Sequence, residues 1–172
     1  MRIGLGFDVH PFGGDGPLIL GGVSLEGPGL AGHSDADVVA HAVADALLGA
    51  AGLPDIGTLF PASDDRYRGA DSMILLGEVS GRVAATGCRL GNIDVVLAAE
   101  RPRLAPHLIG MKENLRSALA LIGGTSGATI SIKPKRAEGL GAIGRAEGIA
   151  AWAVALLEEP RTIHRRPGSA GG

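Results

Sequence analysis

The stretch Arg2-Ile3-Gly4-Leu5-Gly6-Phe7-Asp8-Val9-His10, RIGLGFDVH, alternates strictly, with apolar residues at odd positions and polar or glycine residues at even ones. That is the period of a β-strand, in which successive side chains point to opposite faces. Asp8 and His10 therefore project on one side, about 6.5 to 7 Å apart along the strand. Both can reach a single metal ion. Gly4 and Gly6 leave the same face bare beside them, which suits close approach by a ligand or another backbone. The alternative is a solvated strand face with a chance polar pair, because two ligands alone make a weak motif.

Working outward, "PFGGDGP" (11–17) reads as a glycine-rich turn and "LILGGVSL" (18–25) as a tight hairpin about Gly21-Gly22. "EGPGLAGH" (26–33) reads as loop. Ser34 stands three residues before Asp37, a capping-box-like opening to a helix running to about Ala51, with Val39, Val43, Ala46, Leu47 and Ala50 as its apolar stripe. The segment 52–72 is long for a loop without structure, and such loops are usually functional or disordered.

A second helix is expected from Ser72 to about Thr86, with Leu75, Leu76, Val79 and Val83 inward and Gly87 as its stop. Residues 92–99 form a strand, a third helix starts near Pro106 and ends by Gly123, and 128–133 form another strand. The run 134–145 is loop, and "AEGIAAWAVALLEE" (146–159) reads as a last helix. The prediction is a single α+β domain over 1–158, a mixed β-sheet with helices packed on one side, followed by a flexible polar, basic tail at 159–172.

Composition narrows the function. The 172 residues suffice for one domain with a substantial core, and 45% hydrophobic with 20% charged residues is ordinary globular content. A net charge of −2 and five aromatic residues (three Phe, one Trp, one Tyr) argue against nucleic-acid binding, which needs basic patches or stacking platforms. A single cysteine, Cys88, excludes an intramolecular disulfide and a cysteine-based zinc cluster. With no membrane-length apolar run and no signal-peptide pattern before the first strand, the expectation is a cytoplasmic protein that neither crosses a membrane nor binds nucleic acid. Twenty-nine glycines suit turns and loops that wrap phosphates.

A third ligand candidate lies on the first helix, where Asp37, His41 and Asp45 recur at four-residue spacing on one stripe. Asp8, His10 and His41 would make a two-nitrogen, one-oxygen set with an open fourth position, the usual pattern of catalytic zinc. The alternative for His41 is a surface histidine hydrogen-bonded to Asp37 or Asp45.

Taken together, "GFDVH", "GHSDADVVAHAVADALLGAAGLPDIGTLFP", "RPRLAPH" and "EGLGAIGRAEGIA" resemble the 2-C-methyl-D-erythritol 2,4-cyclodiphosphate synthase family, in order from Met1 to about Glu158. The resemblance implies a homotrimer with an active site at each subunit junction, in non-mevalonate isoprenoid biosynthesis. Its substrate would be a cytidyl diphosphate, 4-diphosphocytidyl-2-C-methyl-D-erythritol 2-phosphate, cyclised with release of CMP.

By the same resemblance Asp8, His10 and His41 would hold Zn2+ or another divalent metal, and Glu138 a Mg2+ or Mn2+ ion with the substrate phosphates. His33 and Arg136 would act catalytically. Ser34, Asp55, Ile56, Gly57, Phe60, Pro61, Ser63 and Asp64 would contact the methylerythritol phosphate. Ala99, Pro102, Arg103, Leu104, Ala105 and Lys135 would form the cytidine pocket, and Ala142 and Arg145 would line a trimer cavity able to take isoprenoid diphosphates. A salt bridge to Glu147 is the alternative for Arg145.

The chain departs from the family pattern in three places. Arg136, in Lys135-Arg136-Ala137-Glu138, stands where the family commonly has threonine. It would serve as a cationic clamp, or else occlude the site and compete with the second metal. Ala62 replaces a common aspartate, and Ala142 a phenylalanine. A second reading follows, a non-catalytic or altered-substrate relative that binds nucleotide or isoprenoid diphosphate.

Overall fold

The computed structural model describes residues 1–124 and 127–159. Its strands are β1 (Arg2–Leu20), β2 (Val23–Leu30), β3 (Arg89–Ala98), β4 (Thr129–Lys135) and β5 (Gly148–Glu158). Its helices are α1 (Val38–Ala51), α2 (Ile56–Leu59), α3 (Ser72–Ala85), α4 (Leu108–Ala118) and α5 (Gly141–Gly144). The strands make one sheet in the order β2-β1-β5-β3-β4. β3 and β4 run parallel, joined by a crossover through α4, and the other neighbours are antiparallel, so the sheet is mixed.

The opening strand is as expected and longer. From Arg2 opposite Leu157 to Pro11 opposite Gly148 it pairs without a break against β5. It then continues through the glycine-rich 11–17 segment, expected as a turn, to pair with β2 through irregular registers at Phe12, Gly14 and Pro17. The hairpin closes at Gly21 and Gly22, whose φ values of 56° and 69° are those a two-residue turn of this hand requires. Residues 26–30 belong to β2, a correction to the loop expected there.

The larger correction is at the C-terminal end. Residues 148–158, expected as helix, form β5, the central strand. Its alanines favour helix by propensity, but they serve a packing purpose here. Ala151, Ala153 and Ala155 are buried while Trp152 and Val154 are exposed, a period of two. The same face of β1 carries Gly4 and Gly6. A Cβ at Gly4 would sit 1.9 Å from the carbonyl oxygen of Ala46, and one at Gly6 1.9 Å from that of Ala42. Glycine and alanine let α1 lie directly on the sheet, and helix α1 is itself buried almost all round, from Val38 to Ala51. The bare strand face is therefore filled by another backbone.

The core between this helix and the sheet continues under α3 and α4 through Leu47, Leu76, Ile93, Leu97, Met111 and Leu115, all buried. The other face of the sheet presents large apolar side chains to solvent: Ile3 is 73% and Leu5 68% exposed, followed by Phe7 and Val9. Phe7 stacks against Trp152 of β5 with ring centroids 5.1 Å apart.

Helix α3 runs as expected, with Leu75, Leu76, Val79 and Val83 buried and Gly87 at φ 78° just beyond its end. Pro106 lies in a single 3-10 turn, Ala105–His107, that leads into α4. The 52–72 segment is ordered into α2 and a 3-10 turn at Asp65–Tyr67. Ser34 is not the cap of α1. Asp37 is, accepting from the backbone N–H groups of Val39 and Ala40 at 3.0 and 3.1 Å. The tail expected at 159–172 lies outside the described residues except for Glu159, which pairs with the N-terminal ammonium at 3.1 Å.

Candidate functional site

Strand β1 and helix α1 bring the three ligand candidates together. Asp8, His10 and His41 offer one carboxylate oxygen and two ring nitrogens that all lie within 4.8 Å of one another. Asp8 Oδ2 is 3.2 Å from His10 Nε2 and 2.9 Å from His41 Nδ1. The glycines at 4 and 6 make this possible, because they set α1 close enough for His41 to reach the strand.

The other nitrogen of His10, Nδ1, lies 2.8 Å from the carbonyl oxygen of Ala31. A carbonyl only accepts, so Nδ1 carries a proton and Nε2 is the nitrogen that faces Asp8. Burial pushes the Asp8 carboxyl up, but hydrogen bonds from His10 and His41 outweigh it and hold the group well below the usual carboxylate range. His10 is pushed up chiefly by its hydrogen bond to Asp8, against the effect of burial. Both shifts say that the pocket calls for positive charge. A divalent cation fits this donor set, since two imidazoles and a carboxylate are ordinary zinc ligands.

The carboxylates expected beside His41 do other work. Asp37 also accepts from Gly21 N and Gly22 N at 2.8 and 2.7 Å, tying the hairpin to the start of α1. Asp45 Oδ1 accepts from Ile56 N at 2.8 Å and so anchors the start of α2. The partners of His41 Nε2 are instead hydroxyls, Ser72 Oγ at 2.9 Å and Ser34 Oγ at 3.1 Å. Sequence reasoning missed Ser72 and its partner Asp35. Ser72 is 31 residues from His41 and reads only as the start of a helix.

A cavity of about 250 Å³ opens beside the histidines, bounded by His33, Ser34, Ile56, Gly57 and Phe60. His33 Nε2 lies 3.3 Å from the Asp64 carbonyl, which holds the 33–34 turn against the following loop. Asp55, Pro61, Ser63 and Asp64 stand outside the lining. Asp55 caps α2, accepting from Thr58 N at 2.7 Å, and Asp64 grips Arg66. Phe60 packs edge-on against Tyr67, centroids 5.2 Å apart.

A separate cavity of about 400 Å³ lies at the C-terminal ends of β3 and β4. Ala99, Pro102, Arg103, Leu104, Ala105 and Lys135 all line it, together with Arg136 and Glu100. Arg136 donates through Nε to Glu100 Oε1 at 3.0 Å, and its Nη2 meets the same oxygen. Glu100 Oε2 is buried without a hydrogen-bond partner. Glu138 is exposed on the loop after β4, with left-handed backbone at φ 52°, and lies outside the Asp8 cluster. Arg145 pairs with Glu147 at 2.6 Å, and Ala142 is exposed nearby.

Comparison with known proteins places this arrangement. Residues 1–158 match the model of the YgbB family. The chain is 53% identical over 159 residues to the 2-C-methyl-D-erythritol 2,4-cyclodiphosphate synthase of Thermosynechococcus vestitus, covering 92% of this chain and 96% of that protein. It is 50% identical over 161 residues to a bifunctional IspD/IspF enzyme of Anaeromyxobacter sp., where 94% of this chain spans only 41% of the relative's length. Among solved structures, IspF of Plasmodium falciparum in complex with CDP superposes with a TM-score of 0.78 at 32% identity, over 93% of this chain and 97% of that one.

Proposed function

Because the chain belongs to the YgbB family, we propose that it converts 4-diphosphocytidyl-2-C-methyl-D-erythritol 2-phosphate into 2-C-methyl-D-erythritol 2,4-cyclodiphosphate and CMP, in non-mevalonate isoprenoid biosynthesis. The observation that carries this reading is the convergence of Asp8, His10 and His41 beside the cavity of His33 and Ser34. In the reaction an oxygen of the 2-phosphate bonds to the β-phosphorus. The bond from that phosphorus to the bridging oxygen breaks, and CMP leaves with the electron pair. A phosphate monoester has a second pKa of about 6, so the attacking group is largely ionised at neutral pH and needs no strong base.

The task left to the protein is to align two phosphates and offset charge. Zn2+ held by Asp8, His10 and His41, and Mg2+ or Mn2+ held by Glu138, would supply charge neutralisation at the phosphate oxygens. His33 donates to charge developing in the transition state, and Arg136 serves as a clamp on the cytidyl-side phosphate. Ser34, Asp55, Ile56, Gly57, Phe60, Pro61, Ser63 and Asp64 hold the methylerythritol phosphate. The β3–β4 cavity takes cytidine, with Pro102, Leu104 and Ala105 against the base and Lys135 and Arg103 at the rim.

The two cavities share no lining residue, and the reading is that one substrate spans the metal-side cavity of one copy and the nucleotide cavity of a neighbouring copy. A homotrimer meets that need, and the apolar sheet face of Ile3, Leu5, Phe7 and Trp152 supplies an interface. Ala142 and Arg145 then line its central cavity. Within the described residues no helix is long and apolar enough to cross a membrane. Together with the lone buried Cys88 this supports a place in the cytoplasm. The alternative, a non-catalytic relative, is not favoured by synthases about half identical along nearly their whole length.

Phosphorus NMR of the purified protein with the cytidyl substrate, zinc and magnesium tests the reading. CMP and the cyclic diphosphate should appear together, stop appearing after chelation, and return when metal is restored. Intact substrate with folded, metal-loaded protein would sink it.

A further inference from the structure

Asp35, on the turn before α1, and Ser72, the first residue of α3, stand behind His41 on the side away from Asp8. Ser72 is 1% exposed. Its backbone N–H donates to Asp35 Oδ2 at 3.1 Å, and its hydroxyl meets Asp35 Oδ1. The same hydroxyl oxygen is 2.9 Å from His41 Nε2. We infer that Asp35 and Ser72 are positioning residues for the metal centre, fixing His41 with its proton on Nε2 and its Nδ1 lone pair aimed at the metal.

The argument is one of proton direction. A carboxylate only accepts, so the single hydroxyl proton of Ser72 is committed to Asp35. The oxygen of Ser72 can then meet Nε2 only as an acceptor, so Nε2 carries the proton. Nδ1, 2.9 Å from Asp8 Oδ2, faces that carboxylate, and with a cation held between them it would present its lone pair to the cation. Ser34 Oγ, 3.1 Å from Nε2 and accepting from Ala36 N at 3.3 Å, takes a share of the same proton. His10 reaches the equivalent state by another route, through the Ala31 carbonyl. One ligand is thus oriented from the backbone of its neighbourhood and the other from a side-chain pair. That pair links the turn before α1 to the start of α3. A ligating histidine whose far nitrogen is held this way is fixed in ring angle and made more basic.

The inference rests on the metal reading above, and its test separates the two. Zinc affinity would be measured by competition with a chromophoric chelator for the wild-type chain and for Ser72→Ala, Ser72→Thr and Asp35→Asn. The His41 tautomer would be read by nitrogen-15 NMR of the zinc-loaded protein. The expected result is an Nε2–H tautomer in the wild type, a loss of about 10- to 100-fold in zinc affinity for Ser72→Ala, and recovery in Ser72→Thr, which restores the hydroxyl. Asp35→Asn should also weaken binding, because an amide can donate to Ser72 and turn its proton toward His41. If Ser72→Ala does not fold, Asp35→Asn and Ser72→Thr carry the comparison. Ser72→Ala and Asp35→Asn chains that bind zinc as tightly as the wild type, or a zinc-loaded wild-type His41 protonated at Nδ1, overturn the inference alone. A wild-type chain that takes up no zinc overturns the metal reading and this inference with it.

Discussion

Both oxygens of Asp37 are taken up by backbone, with Gly21 N and Gly22 N from the hairpin and Val39 N and Ala40 N from α1. Burial pushes its carboxyl up, and the backbone donors pull the other way. Removing the acceptor leaves buried N–H groups unsatisfied at about 1–3 kcal/mol each. Asp37→Ala should therefore lose about 3 kcal/mol or more in urea unfolding, and a loss below about 1 kcal/mol would refute this role. Arg136 makes the opposite case. Its ion pair with Glu100 is exposed on the arginine side, so it should contribute little to stability. Arg136→Thr should leave the melting temperature nearly unchanged yet weaken CDP binding about tenfold, the equivalent of one charge-assisted hydrogen bond. Glu100→Gln should strengthen it by releasing the guanidinium. Calorimetric titration of both variants decides, and equal affinities would remove Arg136 from the nucleotide site.

Among the elements, β1 and α1 were legible in the sequence because each obeys one period, two for RIGLGFDVH and near four for the Val39 to Ala50 stripe. Strand β5 was not. Its small residues are chosen by the distance to α1 rather than by helix propensity, and that distance is set by Gly4 and Gly6, which pair with Ala155 and Ala153 from the opposite end of the chain. The Asp8, His10 and His41 set could be read from local spacing and the family resemblance, whereas Ser72 and Glu100 could not, since each meets its partner only through tertiary packing. The close contact carries its own prediction. In Gly6→Ala the new methyl meets the Ala42 carbonyl at 1.9 Å, so the strand and helix must part. Overpacking of this kind costs about 1–3 kcal/mol or more, roughly 2–9 °C in melting temperature for a chain of this size. The shift should come with weaker zinc binding, because His41 rides on the displaced helix. A melting curve and zinc titration matching the wild type would show that the contact relaxes without cost.

For the molecule as a whole, the sheet is covered on one face by helices and bare on the other. Across the bare face the register sets Ile3 beside Leu156, Leu5 beside Val154, and Phe7 beside Trp152, a continuous apolar band along β1 and β5. The band becomes polar toward β3 and β4, where Asp94 pairs with Lys133 at 2.5 Å and keeps one oxygen buried without a partner. Apolar surface of this extent on a small domain marks an interface. A charge placed in its middle would stay solvated in a lone chain but be stranded in an assembly, where an unpaired buried ion is far costlier than a lost contact. Trp152→Asp should therefore fold, bind zinc as the wild type does, and sediment as a monomer where the proposed wild-type assembly would sediment as a trimer. Its turnover should fall by orders of magnitude, because the proposed site joins the cavity beside His33 of one copy to the cavity beside Arg103 of the next. The loss should be partly reversed by mixing with a catalytically silent His41→Ala chain, provided that the mixed assemblies pair an intact metal centre with an intact nucleotide cavity. A monomeric Trp152→Asp chain with full turnover would mean that a single copy brings both cavities to one substrate, and the subunit junction would lose its place in the mechanism.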